Sequence, residues 1–270
     1  MTMTASMNAK PFAVVTGGSS GIGFALAKQF AQNNFDLLIA AEPDGLEDAA
    51  NQLRSFGGAV DSLAVDLATD EGVDALYQKI KAAGRPVDAA AINAGFGLGG
   101  AFIGDTDLAT ELKMINLNVV STVHLAKHLL TDMVARGQGR VLFTASIASI
   151  SPTPYETVYG ATKAFILSFS ESLHSELKDT GVTTTALMPG PTDTNFFHRA
   201  DMDDTKVGAG KKDDPDDVAR QGYDALMAGK EHIIAGSLKT KLLGYTTDLM
   251  PDSLNAEQHK KMAGPGTAEK

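Results

Sequence analysis

The stretch Phe12-Ala13-Val14-Val15-Thr16-Gly17-Gly18-Ser19-Ser20-Gly21-Ile22-Gly23 decides the fold. Its first residues are apolar without alternation and read as a strand covered on both faces, while Phe24, Leu26, Ala27 and Phe30 beyond the glycines read as an apolar helix. Glycines between strand and helix permit a tight turn and let backbone approach a pyrophosphate, whose charge the free N–H groups and dipole of the helix start favour. The spacing is Gly-x-x-x-Gly-x-Gly, and the Lys of a phosphate-binding NTPase loop is missing. Such a cluster can also be an ordinary turn; the flanking strand and helix favour a dinucleotide site.

Further short apolar runs follow at Leu37 to Ala41, Val60 to Val65, Ala89 to Ile92, Val141 to Thr144, Thr183 to Met188 and, more weakly, His232 to Ala235. Helical stripes lie between them: Leu46, Ala50 and Leu53 before Gly57-Gly58, then Val73, Leu76 and Ile80 before Gly84. Asp214-Pro215 marks the start of a helix ending near Gly229. Two longer helices are expected near Asp107 to Arg136 and Tyr155 to Thr180. The second carries Phe165, Phe169, Leu173 and Leu177 at four-residue spacing, a stripe expected to be buried on its own sheet or against another subunit. Apolar strands alternating with helices specify an α/β doubly wound parallel sheet with helices on both faces.

The 270 residues fit one domain, over about 11–251, with no internal repeat. Residues 1–10 read as a flexible leader and 252–270 as a mobile tail. A net charge of −10 disfavours nucleic acid, whose phosphates need Lys and Arg. No signal peptide or membrane span is evident. The absence of cysteine suits a reducing compartment, so the cytoplasm is expected.

Tyr159 and Lys163, four residues apart, share one helix face. A nearby ammonium favours phenolate in a group otherwise too weakly acidic for proton transfer near neutrality. Ser146 follows the strand ending at Thr144, on the sheet edge where doubly wound folds bind ligands, and its hydroxyl can donate to a carbonyl oxygen. Singly, each residue has an ordinary surface or backbone-bonding role.

The ordered set changes that. Thr16-Gly17-x-x-x-Gly21-x-Gly23, Asp66-Leu67, Asn93-Ala94-Gly95, Asn116, Ser146, Tyr159-x-x-x-Lys163 and Pro189-Gly190-Pro191-Thr192-Asp193-Thr194 resemble the short-chain dehydrogenase/reductase family over roughly 11–236. The resemblance implies about seven strands and a nicotinamide cofactor held by Thr16, Gly17, Ser19, Ser20, Gly21, Ile22, Gly23, Leu67, Ala94, Gly95, Pro189 and Gly190. Asp66 would lie near the adenine and Asn93 at the edge of the cofactor site. Thr192 and Thr194 would hold the carboxamide and Lys163 the ribose hydroxyls. Asn116 would bend its helix and hold a water relaying protons from Lys163. The family commonly forms dimers or tetramers through the two long helices. One departure is Ile92, where many members carry a further Asn.

The expected reaction is hydride transfer between nicotinamide and a carbonyl or secondary alcohol, with Ser146 orienting the carbonyl and Tyr159 protonating the alkoxide. Glu42 ends the second apolar run and would repel a 2′-phosphate, favouring NAD over NADP; alternatively it simply faces solvent. Residues about 192–213 read as a lid, with Phe196, Phe197, Met202 and Val207 able to wall an apolar pocket or to seal core. Gly95 to Phe102 and Ile147 to Glu156 would form other walls, with Ile147 facing the substrate. No basic cluster suggests an anionic substrate, so a small to medium, largely neutral molecule is expected. His124 and His128 have a spacing that can bind metal, but the sequence offers no evident third ligand, so no metal is expected. The rival readings are a catalytically silent cofactor-binding protein and a sugar epimerase or dehydratase.

Overall fold

A computed structural model of the chain describes residues 10–268. The expected leader therefore lies outside the described residues apart from Lys10. Seven parallel strands form one sheet: β1 (Phe12–Thr16), β2 (Asp36–Ala41), β3 (Val60–Ala64), β4 (Ala89–Ile92), β5 (Gly139–Thr144), β6 (Val182–Pro189) and β7 (His232–Ala235). Their order is β3-β2-β1-β4-β5-β6-β7. The order reverses beside β1, where β4 takes the opposite edge from β2, and this places a ligand crevice at the carboxyl ends of β1 and β4.

One face of the sheet is covered by α1 (Gly21–Gln32), α2 (Leu46–Arg54) and, later in the chain, α9 (Pro215–Met227). Phe30 is fully buried there, edge-on to Phe35 and Tyr223. The other face is covered by α3 (Asp70–Ala82), α5 (Ser121–Arg136) and α6 (Thr157–Glu176), around Leu76, Leu129 and Phe143. Side chains set several helix starts. Thr69 accepts from Gly72 N–H, Asp107 from Thr110 N–H, and Asp214 from the N–H groups of Asp216 and Asp217.

The structure departs from the sequence reading in three places. The helix expected from Asp107 to Arg136 is divided into α4 (Leu108–Ile115), a π-helical turn over Asn116–Val120, and α5. The stripe on α6 is not wholly buried: Phe165 is 42% exposed, whereas Phe169, Leu173 and Leu177 are half-buried against the core. Where a mobile tail was expected, the chain forms α11 (Asp252–Ala263), preceded by α10 (Leu238–Leu249). The lid holds two short helices, α7 (Phe196–Arg199) and α8 (Lys206–Ala209). It is tied to the tail by bonds from Lys206 N–H to Thr267 Oγ1, Gly266 N–H to Asp204 Oδ2 and Ala268 N–H to the Asp204 carbonyl. These contacts, with Ala263 buried beside Phe197, Ala200 and Met202, explain why a polar segment folds: it closes over the lid rather than over the sheet.

Candidate active site

The crevice at the strand ends opens into a cavity of about 610 Å³. The glycine turn forms one end of it. Gly17 has φ +66° and Gly21 φ +55°, and a Cβ on Gly23 would fall 2.1 Å from the Gly17 carbonyl oxygen, so the start of α1 can abut the turn only without side chains. No side chain caps α1 at Ser20, which leaves its first N–H groups to the cavity. A narrow, uncapped cradle of this kind suits a pyrophosphate. Gly17, Ser19, Ser20, Gly21, Ile22, Gly23, Glu42, Asp66, Leu67, Asn93, Ala94, Gly95, Pro189, Gly190, Thr192 and Thr194 all line the cavity.

Thr16 does not line the cavity. It is buried and ties β1 to β4, its Oγ1 accepting from Asn93 and Ala94 N–H at 2.9 and 3.0 Å. Asn93 also braces the scaffold, donating to the Thr16 carbonyl and accepting from Thr144 Oγ1. Glu42 and Asp66 each place an oxygen 3.8 Å from Lys113 Nζ, so a lysine from α4 stands between the two carboxylates. Arg199 of the lid donates to Ser20 Oγ at 3.1 Å. It brings a cation to the glycine turn. Neither Lys113 nor Arg199 carries a local signal, since each comes from an element distant in sequence.

Ser146, Tyr159 and Lys163 are brought together and buried. Ser146 begins the short turn after β5, its Oγ accepting from Ala148 N–H. Tyr159 and Lys163 lie in the first turns of α6, with Lys163 Nζ donating to the Thr144 carbonyl at 2.8 Å and lying 5.8 Å from the centre of the Tyr159 ring. Burial raises the Tyr159 pKa well above the usual phenol range; the Glu156 carboxylate adds to this, and a hydrogen bond with Ser146 opposes it. Burial also lowers Lys163 to about 8. Burial thus favours the neutral phenol, the opposite direction to the ammonium effect expected from the Tyr-Lys spacing.

Asn116 does not reach this group: it is exposed on the π-helical turn and absent from the cavity wall. Asn118, two residues on, is the buried one. Its Oδ1 accepts from Phe96 N–H, and its Nδ2 donates to the Phe96 carbonyl and to Thr162 Oγ1. Oδ1 and Lys163 Nζ both lie within 4 Å of where a Gly95 Cβ would be, so this amide is close to the lysine. Both asparagines occur in one predicted helix, and only the burial pattern separates them.

The remaining wall comes from the lid and the tail. Phe196 tilts against the Tyr159 ring at 5.2 Å between centres. Phe197 and Val207 also line the cavity, whereas Met202 is fully buried beneath the lid; the lid residues thus divide between pocket and core. Ile147 also lines the cavity. Glu156, at the end of the expected Ile147 to Glu156 wall, is buried with its Oε2 3.0 Å from His259 Nε2 of α11; the α11 residues there, Asn255, Gln258, His259 and Met262, carry no signal in the sequence reading.

The family model for short chain dehydrogenases matches residues 11–205. A short chain dehydrogenase of Pseudocercospora fijiensis is 34% identical over 186 residues, covering 68% of this chain and 60% of that protein. An uncharacterized oxidoreductase of Staphylococcus saprophyticus is 32% identical over 216 residues, covering 79% and 90%. Among solved structures, a short-chain dehydrogenase from Sphingobium yanoikuyae in complex with NADPH superposes with a TM-score of 0.77 at 28% identity, covering 83% of this chain and 87% of that one. With the glycine cradle, the seven-stranded sheet and the Ser146, Tyr159 and Lys163 cluster in one crevice, the chain belongs to the short-chain dehydrogenase/reductase family of NAD(P)-binding oxidoreductases.

Proposed function

We propose that this protein transfers hydride between a nicotinamide cofactor and a carbonyl or secondary alcohol of a small to medium substrate, with Tyr159 as general acid and base. The observation that carries this reading is the meeting of buried Ser146, Tyr159 and Lys163 where the glycine-lined and lid-covered parts of one cavity join. When bound, the nicotinamide supplies or accepts the hydride. Ser146 donates a hydrogen bond to the substrate oxygen and orients it. Tyr159, held as a neutral phenol by burial and Glu156, gives its proton to the developing alkoxide, which suits the reductive direction. Lys163 binds the ribose hydroxyls, and Asn118 takes the part of the proton relay that the sequence reading assigned to Asn116.

The pocket wall is mixed. Phe196, Phe197, Ile147 and Met262 favour an apolar body, while Glu156 and Gln258 provide for a hydrogen-bond donor and disfavour an anion. Phe165 on α6 and Val120 and Val123 beside and on α5 stand exposed, which supports a homo-oligomer formed through these helices.

NAD(H) is the proposed cofactor, because Glu42 and Asp66 leave the site near Lys113 with more negative than positive charge. Arg199 at Ser20 favours the second reading, NADP(H), as does the NADPH held by the Sphingobium relative. A panel of ketones, aldehydes and secondary alcohols, followed by cofactor absorbance with NADH and NADPH at equal concentration, tests both points. Turnover with NADH preferred is expected. Strong NADPH preference overturns the cofactor assignment, and binding without turnover of any carbonyl favours the silent, cofactor-sensing alternative.

A further inference from the structure

We propose that His124, His128 and Asp74 form a binding site for a divalent transition-metal ion of the zinc or nickel class, at the seam between α3 and α5 and separate from the dinucleotide cavity. The two histidines are four residues apart on α5 and therefore share a helix face. The third ligand comes from α3. Asp74 Oδ1 lies 3.2 Å from His124 Nε2 and 3.8 Å from His128 Nε2, and one donor atom from each residue falls within 4.8 Å of the others. Zinc bonds to imidazole and carboxylate of about 2.0–2.2 Å put neighbouring tetrahedral ligands about 3.3–3.5 Å apart. The two measured separations bracket that value, and a modest side-chain rotation closes the third.

The surroundings support coordination. Asp70 Oδ1 is 3.8 Å from His124 Nδ1, the ring nitrogen that does not approach Asp74, so a small rotation of this exposed carboxylate brings it within hydrogen-bond reach to fix the tautomer of the ligating imidazole. The His128 ring stacks on Tyr77 at 4.2 Å and 14°, which holds its plane. Two carboxylates offset the charge of the ion. The imidazoles are 27% and 35% exposed and Asp74 60%, so an ion can enter and a water can take the fourth position. Nitrogen donors select zinc, nickel or copper over magnesium and calcium. The sequence spacing alone showed only two ligands because Asp74 lies on another helix.

The test is isothermal titration of ZnCl2, NiCl2 and MgCl2 into the full chain, free of any affinity tag and stripped with a chelator. One equivalent of zinc and of nickel should bind with micromolar or tighter affinity, and magnesium should not. His124→Gln and His128→Phe should each weaken zinc binding at least about ten-fold. The phenylalanine keeps a ring on Tyr77, and metal-free melting of both variants close to wild type separates lost coordination from lost fold. Zinc should also raise the melting temperature of the wild type but not of the variants. Absence of saturable zinc binding, or binding unchanged in both variants, overturns the proposal and leaves these groups as surface ion pairs.

Discussion

Lys163→Met removes a buried cation while keeping most of the side-chain volume. Lys163 titrates at about 8 in the folded chain, lowered by burial from 10.5. The unfolded chain therefore holds this proton more tightly, and the folded state carries the full penalty below pH 8. The penalty diminishes as pH rises from 8 toward 10.5. At about 1.36 kcal/mol per unit it amounts to roughly 3 kcal/mol at pH 7 and about 1.4 kcal/mol at pH 9.5. Against this, the variant loses the hydrogen bond to the Thr144 carbonyl, at a cost of about 1–3 kcal/mol that does not vary with pH. The pH dependence is therefore the informative quantity. Urea unfolding of wild type and K163M at pH 7, 8, 9 and 9.5 should show the wild type gaining about 2 kcal/mol relative to the variant across that range. A stability difference that stays flat from pH 7 to 9.5 refutes the assignment of a strongly desolvated lysine.

Asn116→Ala should leave turnover within about two-fold of wild type and stability within about 0.5 kcal/mol, because the side chain is exposed. Asn118→Ala should lower stability by about 1–3 kcal/mol and reduce turnover, since it removes the side-chain partner of the half-buried Phe96 N–H and carbonyl, while Thr162 keeps its bond to the Tyr159 carbonyl; urea melts and initial rates check both. Glu156→Gln removes a carboxylate that raises the Tyr159 pKa, so the limb on which alcohol oxidation increases with pH should move to lower pH in the kcat/KM profile.

The fold was legible because β1, β2 and β4 are largely apolar runs, the other strands keep a short apolar core, and the crossover helices carry stripes or caps. The cofactor end was legible for a related reason: glycines at Gly17 and Gly23 meet a steric demand of the turn itself, so the local sequence carries the information. Asn116 was placed by resemblance alone, and the π-helical turn, which leaves Asn116 exposed and Asn118 buried, has no local sequence signal. Lys113, Arg199 and Glu156 matter through partners on other elements. The tail escaped notice because α11 is polar along its length and buries little more than Asn255 and Ala263 against the lid and α10. Tyr159 and Lys163 stood out only as part of an ordered set of motifs, and the direction of their pKa shifts depends on burial, which spacing does not encode.

Proton transfer by the Tyr159 hydroxyl is tested most directly by the single-turnover rate of Tyr159→Phe, measured with a carbonyl that the wild type reduces and with saturating reduced cofactor. The phenylalanine keeps the ring against Phe196 and deletes only the proton donor. The rate should fall by about 10²–10⁴-fold while cofactor affinity stays near that of the wild type. A rate within a few-fold of wild type contradicts the assignment of Tyr159 as the acid.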